Sequence, residues 1–356
     1  MRMAGDPEHA APLFAKFVLE GTATLAIALL VAIAAGPASA DYEYVLKFGS
    51  FGSGVGSFNE PRGVTVDASG RIVVADAANA RIQVCSEDGA CSAFGAAGVL
   101  TGEFDKPREL GFDFANNEIV IADRGNDRIQ FCTTTGSCDS MGGSGTGLGQ
   151  FESPRGVAVL SATQVVIADT ENNRIQICTR QASCSGFGSL GGSPGQFDGP
   201  SGVAVDSQGR IIVADRLNNR IQVCTTGGSC TAFGSSGAGP GQFNEPTGIA
   251  VDSQDRIVVV DRFNHRVQVC TGAGSCSTFG SLGSADGLLD SPWGVAVDGN
   301  DRIIVTDSGN SRIQVFAEAA DPLPAVIDSF TANPSIVEAG QTVTLSWSVR
   351  NAESCS

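Results

Sequence analysis

Six arginines stand at two kinds of variable position in this chain. Arg62, Arg108 and Arg155 each follow a proline, and Arg124, Arg216 and Arg262 each follow an aspartate in a recurring turn motif. A guanidinium is a rigid fork of N–H donors that matches carboxylate, phosphate or sulfate oxygens, so arginines gathered on one face can hold an anion. Trp293 takes the post-proline position once, and Leu217 and Phe263 follow two of the turn arginines. Arginine and aromatic side chains dominate binding hot spots, so these nine residues form a candidate ligand site. The alternative is that the arginines pair with acidic neighbours and bind nothing.

The catalytic inventory is thin. The chain has two histidines, and only His265 lies beyond the N-terminal segment, so a multi-histidine metal centre is not expected. His265 shares its turn position with Ala80, Asp127, Asn173, Asn219 and Ser311, which suits an exposed turn residue better than a general base. No G-x-S-x-G elbow accompanies a His/Asp pair, and the glycine-rich run at 142–151 does not open a helix as a phosphate loop does. We therefore assign no catalytic residue, metal ligand or cofactor from the sequence. Calcium held by carboxylates is the one ion still conceivable.

Ten of the eleven cysteines form five equally spaced pairs: Cys85/Cys91, Cys132/Cys138, Cys178/Cys184, Cys224/Cys230 and Cys270/Cys276. Two thiols on each of several separate hairpins cannot converge into the four ligands of a structural zinc, so disulfides are expected.

All of these residues sit in a repeat. The segment IVVADAANARIQVC at 72–85 recurs five times, and its aspartates fall at Asp76, Asp123, Asp169, Asp215, Asp261 and Asp307, spaced 47, 46, 46, 46 and 46. Each unit reads as four short strands: in the first, 63–67, 71–76, 81–85 and 91–95. Four-stranded units at this period are the signature of propeller blades, and six of them close a ring without free sheet edges. The repeated aspartates, and the arginines five residues on (Arg81, Arg128, Arg174, Arg220, Arg266 and Arg312), read as structural, because a site rarely needs six copies. Gly63, Gly156, Gly202, Gly248 and Gly294 open strand a of their units, and Glu109 breaks that pattern. The sixth unit lacks a fourth strand, while residues 44–49 match the fourth-strand pattern. The N-terminal segment should therefore close the ring, with Val45 facing Phe316 where the other blades carry a disulfide.

The motifs D-x-x-N-x-R-[IV]-Q and Q-F-x-x-P-x-G, with Asn264-His265-Arg266 among them, resemble the NHL repeat family over residues 44–316. The resemblance implies an all-β, six-bladed propeller serving as a recognition platform. It also brings in lyases whose histidine-rich metal centres this sequence does not supply.

Flanking segments place the propeller in a larger plan. Residues 1–40 read as a signal peptide: a 14-residue apolar run, Thr22 to Ala35, precedes Ala38-Ser39-Ala40. The propeller is expected over 41–318, a linker over 319–325, and the truncated start of a module resembling a bacterial immunoglobulin-like sandwich over 326–356, where Cys355 lacks a partner. An exported protein, periplasmic, surface-bound or secreted, follows, touching a membrane only through its export signal. The net charge of −16 argues against nucleic acid. The expected function is non-enzymatic binding of a protein, peptide or glycan by a monomeric propeller, through its loop-rich face. A propeller lyase or hydrolase using a divalent ion is the alternative.

Overall fold

A computed structural model describes residues 42–319 throughout and, elsewhere, the backbone of the strands Leu13–Val18, Val326–Asn333 and Thr342–Arg350. The chain divides into two compact units, Ser39–Ala319 and a second formed by Met1–Ala38 with Ala320–Ser356.

In the larger unit, six antiparallel four-stranded sheets form the blades. Blade 1 consists of strands a to d at Pro61–Val66, Ile72–Asp76, Arg81–Cys85 and Cys91–Phe94. In blades 1, 4, 5 and 6 every residue of strand b is buried. That is why these strands read as continuous apolar runs: blades cover both of their faces. Six apolar clusters each straddle two neighbouring blades, as Val73 and Ile82 of blade 1 do with Ile119 and Ile121 of blade 2. Burying one such side chain stabilises by about 1.5–3 kcal/mol. Phe58, Phe104, Phe151, Phe197 and Phe243, all with 0% exposure, wedge the connecting loops into these seams, and Leu289 does so in the sixth unit.

Around the axis the blades approach closely. A Cβ on Gly63 would lie 2.2 Å from the carbonyl oxygen of Arg108, and one on Gly156 would lie 2.1 Å from that of Ser201. Only glycine allows this contact.

The N-terminal strand Tyr42–Phe48 pairs antiparallel with Arg312–Glu318 as the outer strand of blade 6, which closes the ring as the sequence predicts. One detail is corrected. A β-bulge between Tyr44 and Leu46 puts Tyr44, not Val45, opposite Phe316. The extra residue of a bulge is left unpaired, and Val45 is exposed. Phe316 packs instead on Phe279, which also stacks on Tyr42, both at 4.8 Å between ring centres.

In the other five blades the c–d hairpin carries a disulfide. All five expected pairs are bonded: Cys85–Cys91, Cys132–Cys138, Cys178–Cys184, Cys224–Cys230 and Cys270–Cys276. The two ends of each bridge differ in a way that their equal spacing does not reveal. The strand c cysteines, Cys85, Cys132, Cys178, Cys224 and Cys270, are fully buried core residues. Their partners on strand d, Cys91, Cys138, Cys184, Cys230 and Cys276, are only half-buried, packed against the edge of the core. Among the described residues strand d has no further strand outside it, so each bridge ties an outer strand to the interior.

The second unit contains a three-stranded antiparallel sheet in the order Leu13–Val18, Thr342–Arg350, Val326–Asn333. Its first strand falls within the stretch read as a leader. The apolar run at 22–35, the end of the expected leader at 40, residues 320–325 of the expected linker, and Cys355 lie outside the described residues.

Candidate anion-binding site

The repeated turn motif is a fastening for the loop that enters each blade. In blade 4, Asp215 is wholly buried and accepts from the Asp198 backbone N–H at 2.8 Å, Asn218 Nδ2 at 3.0 Å, Arg220 Nε at 2.7 Å and Gln222 Nε2 at 2.9 Å. Arg220 also donates to the Ser193 and Gln196 carbonyls of that loop. The other five blades repeat the ion pair, Arg81–Asp76, Arg128–Asp123, Arg174–Asp169, Arg266–Asp261 and Arg312–Asp307, all at 2.7–2.8 Å. These six arginines are committed to the scaffold.

The turn position just before these arginines ties four of the six blades to the next one. Asp127, Asn173 and Asn219 accept from the backbone N–H of Ser153, Gly199 and Glu245, and His265 Nδ1 accepts from that of Ser291 at 3.0 Å. His265 is thus a half-buried latch between blades 5 and 6, not the exposed turn residue expected. The latched residue precedes a proline yet holds a positive φ: 49° at Ser153, 50° at Glu245 and 45° at Ser291. Residues before proline ordinarily stay extended. The same conformation occurs at Glu60 and Lys106, φ 51° and 52°, where no latch forms among the described residues, so the latch joins the blades without being needed for the turn.

Those side chains form the mouth of the central channel. Trp293 is 3% exposed, at the base of the cluster and not on the rim beside Leu217 and Phe263, which are 44% and 42% exposed. The guanidinium carbons of Arg62, Arg262 and Arg108 lie 4.1, 4.5 and 4.8 Å from the Trp293 ring centre, and Arg262 also covers Phe263 at 4.4 Å. Three guanidiniums thus share one buried indole in cation–π contact, against their mutual repulsion. The main chain beneath is pinned: Thr247 Oγ1 donates to the Trp293 carbonyl at 2.7 Å, and Thr306 Oγ1 to that of Arg62 at 2.6 Å.

Charge at the mouth is incompletely answered. Arg62 pairs with Glu60 at 2.6 Å and Arg216 with Glu245 at 2.7 Å; Glu245 also lies 3.8 Å from Arg262, and Glu171 acts on Arg155. Three carboxylates thus face six guanidiniums. Buried Nε atoms of Arg62, Arg108, Arg124, Arg155, Arg216 and Arg262, together with Arg108 Nη1 and Trp293 Nε1, have no hydrogen-bond partner among the described residues. Burial, with Arg62, Arg155 and Arg124 adding repulsion, pulls Arg108 down to about 8; burial, with Arg216 and Arg124, pulls Arg155 down to about 10. Guanidiniums keep their protons in proteins, so burial and mutual repulsion leave these charges poorly compensated by the chain itself. An anion entering the mouth meets desolvated donors, where hydrogen bonds to charged groups are strongest.

One further buried group was flagged in the sequence only as a break in the glycine pattern. Glu109 is 6% exposed, its Oε1 has no partner, and burial raises its carboxyl to about 8 against the opposing pull of Arg108. A cavity of about 440 Å³ is walled by strand a of every blade, with Val64, Leu110, Val157, Val203, Ile249 and Val295 in its lining beside the polar Thr65, Asp113 and Ser161. The structure therefore brings all six arginines and Trp293 to one mouth and leaves Leu217 and Phe263 on its edge. The counter-ions Glu60 and Glu245 were missed, although each directly precedes a blade proline. Among the described residues, no three His, Cys, Asp or Glu side chains gather as a metal-ligand set, so none can be named to hold calcium.

The family model of the NHL repeat matches residues 58–85, 151–178, 197–224, 243–270 and 289–316. These are NHL repeats. The segment left out, in blade 2, carries Glu109 and Gly111 yet folds as the same four strands. A stretch of 46 residues is 54% identical to the B-box type zinc finger protein ncl-1 of Caenorhabditis elegans, covering 13% of this chain and 5% of that protein. Among solved structures, a streptogramin B lyase superposes with a TM-score of 0.56 at 14% identity, over 78% of this chain and 97% of its own. An auxiliary nutrient binding protein from Bacteroides thetaiotaomicron superposes with a TM-score of 0.57 at 11% identity, over 87% and 77%. At such identities the likeness concerns the propeller fold alone.

Proposed function

We propose that this NHL propeller is a non-enzymatic recognition module that grips an anionic group of a protein, peptide or glycan ligand at its arginine mouth. The observation that carries this reading is the cluster itself: three guanidiniums stacked on a buried tryptophan, with inward N–H groups that nothing in the described chain satisfies. Exposed Leu217 and Phe263 offer apolar contact beside it. NHL propellers commonly mediate protein interactions, which favours a protein or peptide ligand. Five disulfides suit an oxidising environment, and an exported or surface protein is the setting we infer.

The test is capture on arrays of acidic and neutral peptides and glycans by the oxidised protein and by the double variant Arg108→Met/Arg262→Met. Retention of acidic ligands that weakens with salt and vanishes in the variant supports the reading. Equal capture by both proteins, or capture of neutral ligands alone, overturns it.

A further inference from the structure

We propose that Glu109 is the uncharged member of this anion site, a carboxylic acid that donates a hydrogen bond to an oxyanion held by the surrounding guanidiniums. The inference rests on the anion-binding reading and adds both a ligand-contacting residue and a ligand class: carboxylate or phosphate oxygens able to accept from an acid.

Geometry carries it. The equivalent residue in the other five blades is glycine, packed too closely against the next blade for a side chain, as the Cβ clashes at Gly63, Gly156 and Gly202 show. Glu109 is therefore the only side chain at this level of the ring. Its backbone N–H donates to the Arg155 carbonyl at 3.0 Å, which fixes it between two of the cluster's arginines. The residue after it, Leu110, lines the cavity, and the residue before it, Arg108, belongs to the guanidinium cluster. An ionised carboxylate next to Arg108 should pair with it, yet Arg108 Nε and Nη1 and Glu109 Oε1 are all left without partners. That arrangement fits a protonated acid and a guanidinium that each keep hydrogen-bonding capacity for a third group.

The charged group that acts on Glu109 is Arg108, on its own strand; Arg62, Arg155 and Arg124 act in turn on Arg108, and Glu60 is paired with Arg62. Burial raises Glu109 to about 8, so it keeps its proton at neutral pH. Above that, the ionised carboxylate repels the ligand.

The experiment is calorimetric titration of the whole oxidised chain with succinate and with inorganic phosphate, from pH 6 to pH 9, in buffers of different ionisation enthalpy. Affinity should fall about tenfold between pH 7 and pH 9, with proton uptake near pH 8. Glu109→Gln should bind at pH 7 and lose both the fall and the uptake. If the fall and uptake persist in Glu109→Gln, Arg108 or another group is responsible and the proposal is overturned, while the anion site stands. If neither probe nor any arrayed acidic ligand binds the parent, both readings fall. Carboxyl 13C NMR of glutamate-labelled parent protein needs no variant. It should show one glutamate titrating near 8 that moves higher with bound probe, and a signal that ignores the probe overturns the proposal.

Discussion

Arg62 lies over the indole of Trp293, its guanidinium carbon 4.1 Å from the ring centre, so the first blade reaches across the ring seam to the sixth. This contact serves both the ring and the site, because the same indole supports Arg108 and Arg262. Trp293→Ala should lose anion capture and destabilise the fold by about 3–5 kcal/mol, the usual range for a buried Trp→Ala change. Trp293→Phe keeps a ring for the guanidiniums and should retain part of both. Chemical denaturation alongside ligand capture separates the two effects.

Asp215→Ala should be more damaging than its distance from the mouth suggests. It strips an acceptor from Asn218, Arg220, Gln222 and the Asp198 N–H at once, and leaves Arg220 without its carboxylate. Breaking such a buried pair costs about 3–5 kcal/mol. Hydrogen exchange should show the loop at 191–198 opening first, with the other blades still protected.

Stability should depend on pH through Glu109. Its pKa in the folded protein is raised to about 8, above the ordinary 4.5, so the folded state binds the extra proton between those values. The stabilising share of that proton is present below about 4.5 and is lost as pH rises towards 8. Glu109→Gln should therefore stabilise the protein at pH 9 by a few kcal/mol and change it little at pH 4.5. Urea midpoints at the two pH values check this.

Each disulfide closes a short hairpin, and the chain-entropy relation gives roughly 2 kcal/mol for a loop of that size. Replacing Cys178 and Cys184 by serine should lower stability by about that amount and leave ligand capture intact, because the bridge lies across a c–d hairpin and not at the mouth. Reduction of all five should act as several such losses. Thermal denaturation with and without reductant gives the comparison.

The fold was legible because its signals repeat. Strand periodicity, turn chemistry, the cysteine pairs and the missing sixth hairpin all agree, and the ring follows from counting. The site was legible only in outline. Repeat positions after the proline and after the aspartate pointed Arg62 and Arg262 at one face, since equivalent positions in a ring converge. Depth was not legible: Trp293 and Phe263 look alike as exposed aromatics in the sequence, and only packing around the axis buries the first. The same holds for the bridges, where Cys132 is in the core and Cys138 at its edge although the pattern treats them alike. Val45 was misplaced because a bulge leaves no mark in a pattern match of this length. The role of His265 was hidden because a latch is made by the backbone N–H of Ser291, and a donor common to almost every residue is not a motif.

Pairing Tyr42–Phe48 with Arg312–Glu318 has a consequence for how the molecule is made. Five blades are built from hairpins between neighbouring segments, which can form as soon as each repeat leaves the ribosome. The sixth cannot. Its outer strand is the earliest part of the propeller to be synthesised and its partner is among the last, so ring closure carries the longest loop and the slowest step. Until then the first strand waits with unpaired backbone groups, an edge to which the strand of a second copy can also add.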